Sequence, residues 1–156
     1  MNAAHINPFI QGAQNVFKKL CNESPALGQV FTKSAPYSPS PVAASLSIIG
    51  ELRGEAIYNM EVADACYIAS LMMMGAAVTE LDEMSKSAVS ELTNMISGNV
   101  ATLFFGKGIK IDITPPRFII NATPADFTEI AEGEKIVCVP LRFANGRVFE
   151  IDISLP

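Results

Sequence analysis

The chain has 156 residues, of which 49% are hydrophobic and 17% are charged. This composition is typical of one folded domain with a substantial core and excludes a largely disordered chain. The 11 lysines and arginines against 16 aspartates and glutamates give a formal net charge of -5. Because no local basic cluster opposes that charge, nucleic acid is excluded as a partner.

The chain shows no sequence pattern for export or membrane insertion. Residues 1–20 lack the charged segment and unbroken apolar run of a signal peptide. The most apolar stretch, residues 63–78, is shorter than the roughly 20 residues that cross a bilayer. Three cysteines without paired spacing indicate a reducing compartment. We therefore expect a single cytoplasmic domain over residues 1–156, without a membrane partner.

The first elements are a helix and an extended segment. Apolar residues recur at helical spacing from Ile6 to Leu20, which predicts an amphipathic helix. We interpret Asn7 as its N-cap and Pro8 as its first residue. Prolines and serines mark residues 24–41, a composition that favours an edge strand or an extended loop.

The middle of the chain alternates from strands to helices. Two β-prone runs, residues 42–50 and 54–60, predict a hairpin. Helical spacing returns over residues 62–73 and ends near Gly75, a residue common at helix C-caps. A longer helix is predicted over residues 80–105.

The last part of the chain changes from a helical period to an alternating one. Residues 109–113 alternate, two prolines follow, and residues 118–120 are again β-prone. The runs 136–143 and 147–155 flank an Asn-Gly turn, which predicts a closing hairpin. This order of elements predicts an α+β fold with helices packed on one face of a largely antiparallel sheet.

The predicted helix 80–105 has two different faces. At 100° per residue one arc is apolar and is expected to face the core: it holds Leu81, Met84, Ala88, Leu92, Met95, Ile96 and Leu103. Asn99 falls within that arc and is interpreted as a buried structural amide. The opposite arc is expected to face solvent and holds Glu80, Glu83, Ser87, Ser90, Glu91, Asn94, Gly98 and Ala101.

Glu91 and Asn94 are neighbours on the polar arc because they are three residues apart. A solvated helix face is the ordinary explanation of such a pair. Gly98 points to another explanation, since glycine inside a helix costs about 1 kcal/mol relative to alanine and often marks the close approach of another backbone. A partner is therefore expected against this face.

These residues carry a family resemblance. Ser87, three residues, Glu91, two residues, Asn94 and a proline some twenty residues later resemble the signature of the CheC, CheX and FliY chemotaxis phosphatases. Pro115 and Pro116 both compete for the position of that proline.

The resemblance is greatest to CheX-type members of this family. It extends over nearly the whole chain through the order of elements and through the opening residues 6–10. The matching stretch of the first helix, residues 12–15, has no glutamate in the motif position. One site per chain is therefore expected, on a CheC-like fold.

The resemblance implies a phosphatase that hydrolyses the aspartyl phosphate of a CheY-like receiver domain. Glu91 and Asn94 would be catalytic, and Ser87, Ser90 and Gly98 would contact the receiver. Magnesium would belong to the phosphorylated receiver, with no cofactor held by this chain itself. A homodimer is also implied. The alternative is a non-catalytic module that binds a receiver through the same face in signalling or flagellar assemblies.

Other candidate groups receive structural interpretations. His5 has no second histidine or cysteine at ligand spacing, so no metal role is expected for it. The acidic residues at 80, 82 and 83 are interpreted as favourable charges at a helix start. The late hairpin is expected to offer a free sheet edge for dimerisation, whereas prolines 36, 39 and 41 would protect the other margin.

Overall fold

The structure, a computed structural model, describes residues 2–155. It contains one antiparallel sheet of eight strands and three α-helices, and this confirms the predicted α+β class. In chain order the elements are α1 (Ala3–Cys21), β1 (Ala26–Leu27), β2 (Phe31–Ser34), β3 (Val42–Gly50), β4 (Gly54–Met60), α2 (Val62–Met72), α3 (Glu83–Gly106), β5 (Ile111–Ile113), β6 (Arg117–Ile120), a 3-10 helix (Pro124–Phe127), β7 (Lys135–Arg142) and β8 (Val148–Ser154). None of the helices in this part of the chain is long and apolar enough to cross a membrane.

The two predicted hairpins are confirmed. Strands β3 and β4 pair from Val42 opposite Met60 to Ile48 opposite Gly54. Strands β7 and β8 pair on either side of the Asn-Gly turn, in which Gly146 has a φ of 86°. Glycine adopts this conformation without the steric cost that a side chain would add, so the turn is encoded locally.

The lateral order of the sheet is β1-β7-β8-β4-β3-β5, with β2 also paired to β7 and β6 also paired to β3. The late hairpin is therefore inside the sheet, because β8 lies between β4 and β7 and because β1 and β2 cover β7. The interpretation of that hairpin as a free edge is wrong. The proline-rich segment instead flanks two short strands that form one margin, and β5 and β6 form the other.

The two faces of the sheet are buried by different elements. The helices cover one face, where alternate residues of the central strands join a large core with α1, α2 and α3. The opposite face carries a smaller core of Tyr37, Ala43, Ile57, Phe127, Ile130, Ile136 and Cys138. Tyr37 comes from the segment before β3 and Phe127 from the 3-10 helix after β6, so no α-helix of the described residues covers this second face.

Helix α1 begins five residues before Pro8. The side chain of Asn2 accepts a hydrogen bond from the Ala4 N–H at 2.7 Å, so Asn2 is the N-cap and Pro8 lies inside the helix. The interpretation of Asn7 and Pro8 as the helix start is wrong. Proline has no N–H to donate to the Ala4 carbonyl. The ammonium of Lys107 donates to that carbonyl at 3.5 Å and partly replaces the missing bond.

The buried face of α3 is rotated from the predicted one. Eight residues of the helix are buried: Ser85, Val89, Leu92, Thr93, Ile96, Ser97, Val100 and Phe104. Met84 and Met95 were expected in the core, but they are 67% and 37% exposed. The buried hydroxyls of Thr93 and Ser97 donate to carbonyls of α3 itself, those of Ser90 at 2.7 Å and Thr93 at 3.0 Å, so they are not left without partners.

Asn99 is not the core amide that the sequence predicts. It is half-buried, and its Oδ1 accepts a hydrogen bond from Nδ2 of Asn15 on α1 at 3.3 Å. The rotation of the helix moves it from the core to the margin between the two helices. Asn99 therefore links α1 to α3 rather than serving the interior.

Candidate active site

Helix α3 is fixed on the sheet by a close crossing and a buried hydrogen bond. At the crossing with α1, a Cβ atom on Gly12 would lie 2.7 Å from Cγ2 of Val100, so only glycine allows this approach. Below the helix, the hydroxyls of Tyr58 and Ser97 are 3.0 Å apart. Burial raises the pKa of the Tyr58 phenol, which keeps this group neutral. These contacts set the rotation of α3 and therefore which face points outward.

The outward face of α3 carries the side chains that the sequence singles out. Ser87, Glu91, Asn94 and Gly98 are all exposed, and Ser90 is half-buried at their side. Their spacings of four, three and four residues place them in one row along the helix. The structure thus brings the predicted residues together on one accessible surface.

Gly98 has no packing role within the described chain. A Cβ atom built on it would meet no atom within 4 Å. The close approach that explains Gly12 is therefore absent at Gly98, within residues 2–155. The open space above Gly98 continues the surface that holds Asn94, one helical turn away.

A cleft of about 460 Å³ opens beside Glu91. Its walls are Lys86, Ser87, Ser90 and Glu91 from α3 and Phe118 from β6. The Lys86 ammonium is 3.2 Å from Oε1 of Glu83, in an exposed ion pair of the kind that contributes little to stability. The cleft thus joins a carboxylate, two hydroxyls, a cation and an aromatic ring.

The sequence reasoning did not identify Lys86 or Phe118 as part of this surface. Lys86 lies one turn before Ser90, so the helical row itself could have suggested it. Phe118 could not be found in this way, because it arrives from a strand that pairs with β3 and is 27 residues beyond Glu91. Only the tertiary fold places it beside α3.

Pro115 and Pro116 lie between β5 and β6. Pro115 lines a different cleft with Ser45 and Arg117, on the face of the sheet away from α3. Between the pairs Ile48–Ile113 and Ser45–Arg117, three residues of this segment are opposite two residues of β3, so the alternation of faces is broken there. Both prolines therefore stay candidates for the proline of the motif.

The geometry shows what the α3 surface can do chemically. An exposed amide can accept a hydrogen bond from water through its oxygen and donate through its nitrogen. An exposed carboxylate beside it can bind a cation of a partner. Within residues 2–155, the one group of three potential metal ligands is Cys138, Glu150 and Asp152. Neither Glu91 nor His5 belongs to this group. The ring of His5 instead lies beside the ring of Phe104, with 6.3 Å between the two ring centroids.

Comparison with known proteins relates this surface to a family. The family model described as chemotaxis phosphatase CheX matches residues 42–142. The CheY-P phosphatase CheX of Thermotoga maritima is 30% identical over 155 residues, which cover 99% of this chain and 97% of that protein.

Solved structures with the same fold include relatives of this kind. A CheC-like superfamily protein from a Shewanella species superposes with a TM-score of 0.80 at 26% identity, over 100% of this chain and 99% of that one. The CheX chain in the crystal structure of a CheX-CheY-BeF3-Mg²⁺ complex from Borrelia burgdorferi gives a TM-score of 0.76 at 26% identity, over 97% of each chain.

Proposed function

The chain belongs to the CheX family of chemotaxis phosphatases, and on that premise we propose that Glu91 and Asn94 are the groups with which it dephosphorylates a CheY-like receiver domain. The observation that carries this proposal is the exposed position of both side chains on the outward face of α3. A site that acts on a folded partner must be accessible in this way.

Asn94 suits the task of placing water. Hydrolysis of an acyl phosphate proceeds through a loose transition state, in which the catalyst gains most from an aligned nucleophile and little from early removal of a proton. The amide oxygen of Asn94 can accept from the attacking water while the amide nitrogen donates to the receiver. We therefore assign Asn94 to positioning the water in line with the phosphorus.

Glu91 suits a contact with a cation of the receiver. Its side chain is exposed and is one turn from Asn94, so both can reach the same acidic pocket of a docked receiver. A charge-assisted contact to the active-site lysine of the receiver would align the two proteins. General-base chemistry is less suitable, since the loose transition state requires little proton removal.

The magnesium ion belongs to the receiver in this proposal. The Borrelia burgdorferi complex that shares the fold contains CheY, BeF3 and Mg²⁺. On the described surface of α3 Glu91 is flanked by hydroxyls and an amide rather than by further carboxylates, and Mg²⁺ favours carboxylates together with phosphate oxygens. The ion would neutralise the phosphoryl group while Asn94 positions the water.

The receiver is expected to lie along the row from Ser87 to Gly98. Ser87 and Ser90 offer hydroxyls at the rim of the cleft, and Gly98 leaves room for close approach of a backbone. The exposed side chains of Met84 and Met95 flank this row and provide apolar contact area. The surface thus has the apolar patches and polar groups of a transient protein interface.

The decisive experiment mixes the protein with phosphorylated CheY-like receivers from the same genome and measures release of phosphate. We expect Asn94→Ala to abolish the acceleration while receiver binding and folding remain. Asn99→Ala is the matched control, because it removes an amide from the same helix on the side that faces α1. Wild-type turnover in the Asn94 variant would disprove the assignment. Receiver binding without acceleration by the wild type would indicate the non-catalytic module instead.

A homodimer is the second part of the proposal. The margin formed by β1 and β2 carries three exposed apolar side chains, Leu27, Val30 and Phe31. The outer backbone groups of an edge strand are unpaired, and exposed apolar residues beside them favour contact with another chain. We expect light scattering to report a dimer and Leu27→Asp with Val30→Asp to produce monomers. A wild-type monomer, or a dimer that tolerates both changes, would remove this interface.

A further inference from the structure

A polar cluster is buried on the face of the sheet opposite to the helices. Its members are Lys33, Tyr37, Asn59, Cys138, Glu150 and Asp152. The register of the strands creates it, since Cys138 on β7 is directly opposite Asp152 on β8 and Glu150 precedes Asp152 by two residues on the same face. None of these residues takes part in the phosphatase surface on α3.

Asp152 is the centre of this cluster and is only half satisfied. Its Oδ2 accepts hydrogen bonds from the Tyr37 hydroxyl, from Nδ2 of Asn59 at 2.8 Å and from Nζ of Lys33 at 3.2 Å. Its Oδ1 is fully buried and has no hydrogen-bond partner among residues 2–155. Buried carboxylate oxygens are rarely left in this state, because the lost hydration is not replaced.

The cluster contains the donor atoms of a metal site. The Sγ atom of Cys138 and carboxylate oxygens of Glu150 and Asp152 all lie within 4.8 Å of one another. One thiolate with two carboxylates matches Zn²⁺, which accepts sulfur and oxygen ligands in tetrahedral sites. Ligand atoms around such an ion are about 3.5 Å apart, so the three side chains need to draw together by about 1 Å.

The charges in the cluster also favour a divalent ion. Two carboxylates face a single ammonium, since Lys33 Nζ is 3.0 Å from Glu150 and 3.2 Å from Asp152. A divalent ion with the thiolate of Cys138 would bring the sum of charges, including Lys33, to zero. An uncompensated charge in a buried site costs more than a set of charges whose sum is zero.

An ion can reach the cluster from solvent. The side chains of Lys33 and Glu150 are 25% and 17% exposed, whereas that of Asp152 is fully buried. Lys33 lies on the margin strand β2, so its ammonium can swing outward while the ion enters and can then lie beside the carboxylates again. The hydrogen bonds from Tyr37 and Asn59 would hold Asp152 in place during this exchange.

We propose that Cys138, Glu150 and Asp152 form a binding site for one Zn²⁺ ion, separate from the phosphatase surface. On binding, the Cys138 thiol releases its proton to solvent and forms the metal–sulfur bond, and one oxygen of each carboxylate completes the set contributed by the protein. The ion joins β7 to β8 and secures the segment that carries Tyr37. Its effect is therefore on the stability of this face of the sheet.

The first test uses Co²⁺ as a spectroscopic substitute for Zn²⁺ on the full chain under reducing conditions. A thiolate ligand gives Co²⁺ an intense near-ultraviolet charge-transfer band, which we expect at one equivalent in the wild type. Cys138→Ser should lose the band, and the matched control Cys66→Ser, another buried free thiol, should keep it. No band in the wild type, or a band that survives Cys138→Ser, would overturn the proposal.

The second test measures stability and does not depend on a cysteine variant that folds. Zn²⁺ should raise the midpoint of thermal unfolding of the wild type, with a smaller rise for Glu150→Gln, whose side chain is partly exposed. Glu83→Gln, a change of an exposed carboxylate on α3, should leave the rise intact. An equal rise in the wild type and in Glu150→Gln would overturn the proposal.

Discussion

The substitution Gly98→Ala should make the protein more stable and less effective toward its receiver. Gly98 lies inside α3, and a Cβ atom there would meet no atom within 4 Å. Alanine in a helix interior is favoured over glycine by about 0.5–1 kcal/mol because the unfolded chain loses less freedom on folding. For a domain of this size, 1 kcal/mol corresponds to about 2–4 °C in the midpoint of thermal unfolding.

The cost of the same methyl group should appear in catalysis. Gly98 is one turn beyond Asn94 on the surface where the receiver is proposed to lie, so the added methyl group would keep the two backbones apart. We expect a higher KM for the phosphorylated receiver in a phosphate-release assay, together with the higher unfolding midpoint by calorimetry.

Gly106→Ala provides the control for this variant. Gly106 also has open space around it, but it ends α3 and lies 12 residues from Asn94, or about 18 Å along the helix axis. It should leave the kinetics unchanged. If Gly98→Ala is more stable and retains the KM of the wild type, Gly98 lies outside the receiver interface and that part of the reasoning is refuted.

Three further predictions concern α3 and its crossing with α1. Glu91→Ala should weaken binding of the activated receiver by about 2 kcal/mol, which titration calorimetry would report as a roughly thirtyfold higher Kd. An unchanged Kd together with a lower maximal rate would indicate instead that Glu91 is a general base. Gly12→Ala should lower the free energy of unfolding in urea by about 1–3 kcal/mol, because its methyl group would overlap Val100, and a gain in stability would contradict the close crossing. Hydrogen bonds from Ser85 hold the pKa of Asp82 in the folded protein below its usual value. The ionised Asp82 cap therefore stabilises the fold at pH values above the pKa that Asp82 has in the unfolded chain. This stabilisation is lost as the pH falls through the pKa that Asp82 has in the folded protein. Asp82→Ala should therefore lower the midpoint of thermal unfolding at pH 7, and the gap between the midpoints of the variant and the wild type should narrow below about pH 4. A gap that stays the same at every pH would contradict this account.

Much of the fold was predictable because its signals are local. Both hairpins follow from β-prone runs around short turns, and the structure has them at the predicted positions. The outward position of Glu91 and Asn94 was also predictable, since helical spacing decides which residues share a face. These features depend on residues close together in the chain.

The errors arise where distant parts of the chain compete. The rotation of α3 was misjudged because Thr93 and Ser97 count as polar in the sequence, although the fold buries them with satisfied hydrogen bonds. Proline is common at helix starts, which predicts a start at Pro8, yet the Asn2 cap and the packing of α1 place Pro8 inside the helix. The place of the late hairpin inside the sheet depends on pairings with β1, β2 and β4, which no local pattern reports.

The difference between the two margins of the sheet limits how far an assembly can grow. At the β5–β6 margin, Thr114, Pro115 and Pro116 interrupt the outer strand, and proline cannot donate to an incoming chain. Residues 28–30, which connect β1 and β2 at the other margin, contain no proline. A dimer with two-fold symmetry that pairs through the β1–β2 margin would use this margin in both copies. Only the β5–β6 margins, with their prolines, would then stay unpaired. Growth by addition of strands would therefore end at two copies.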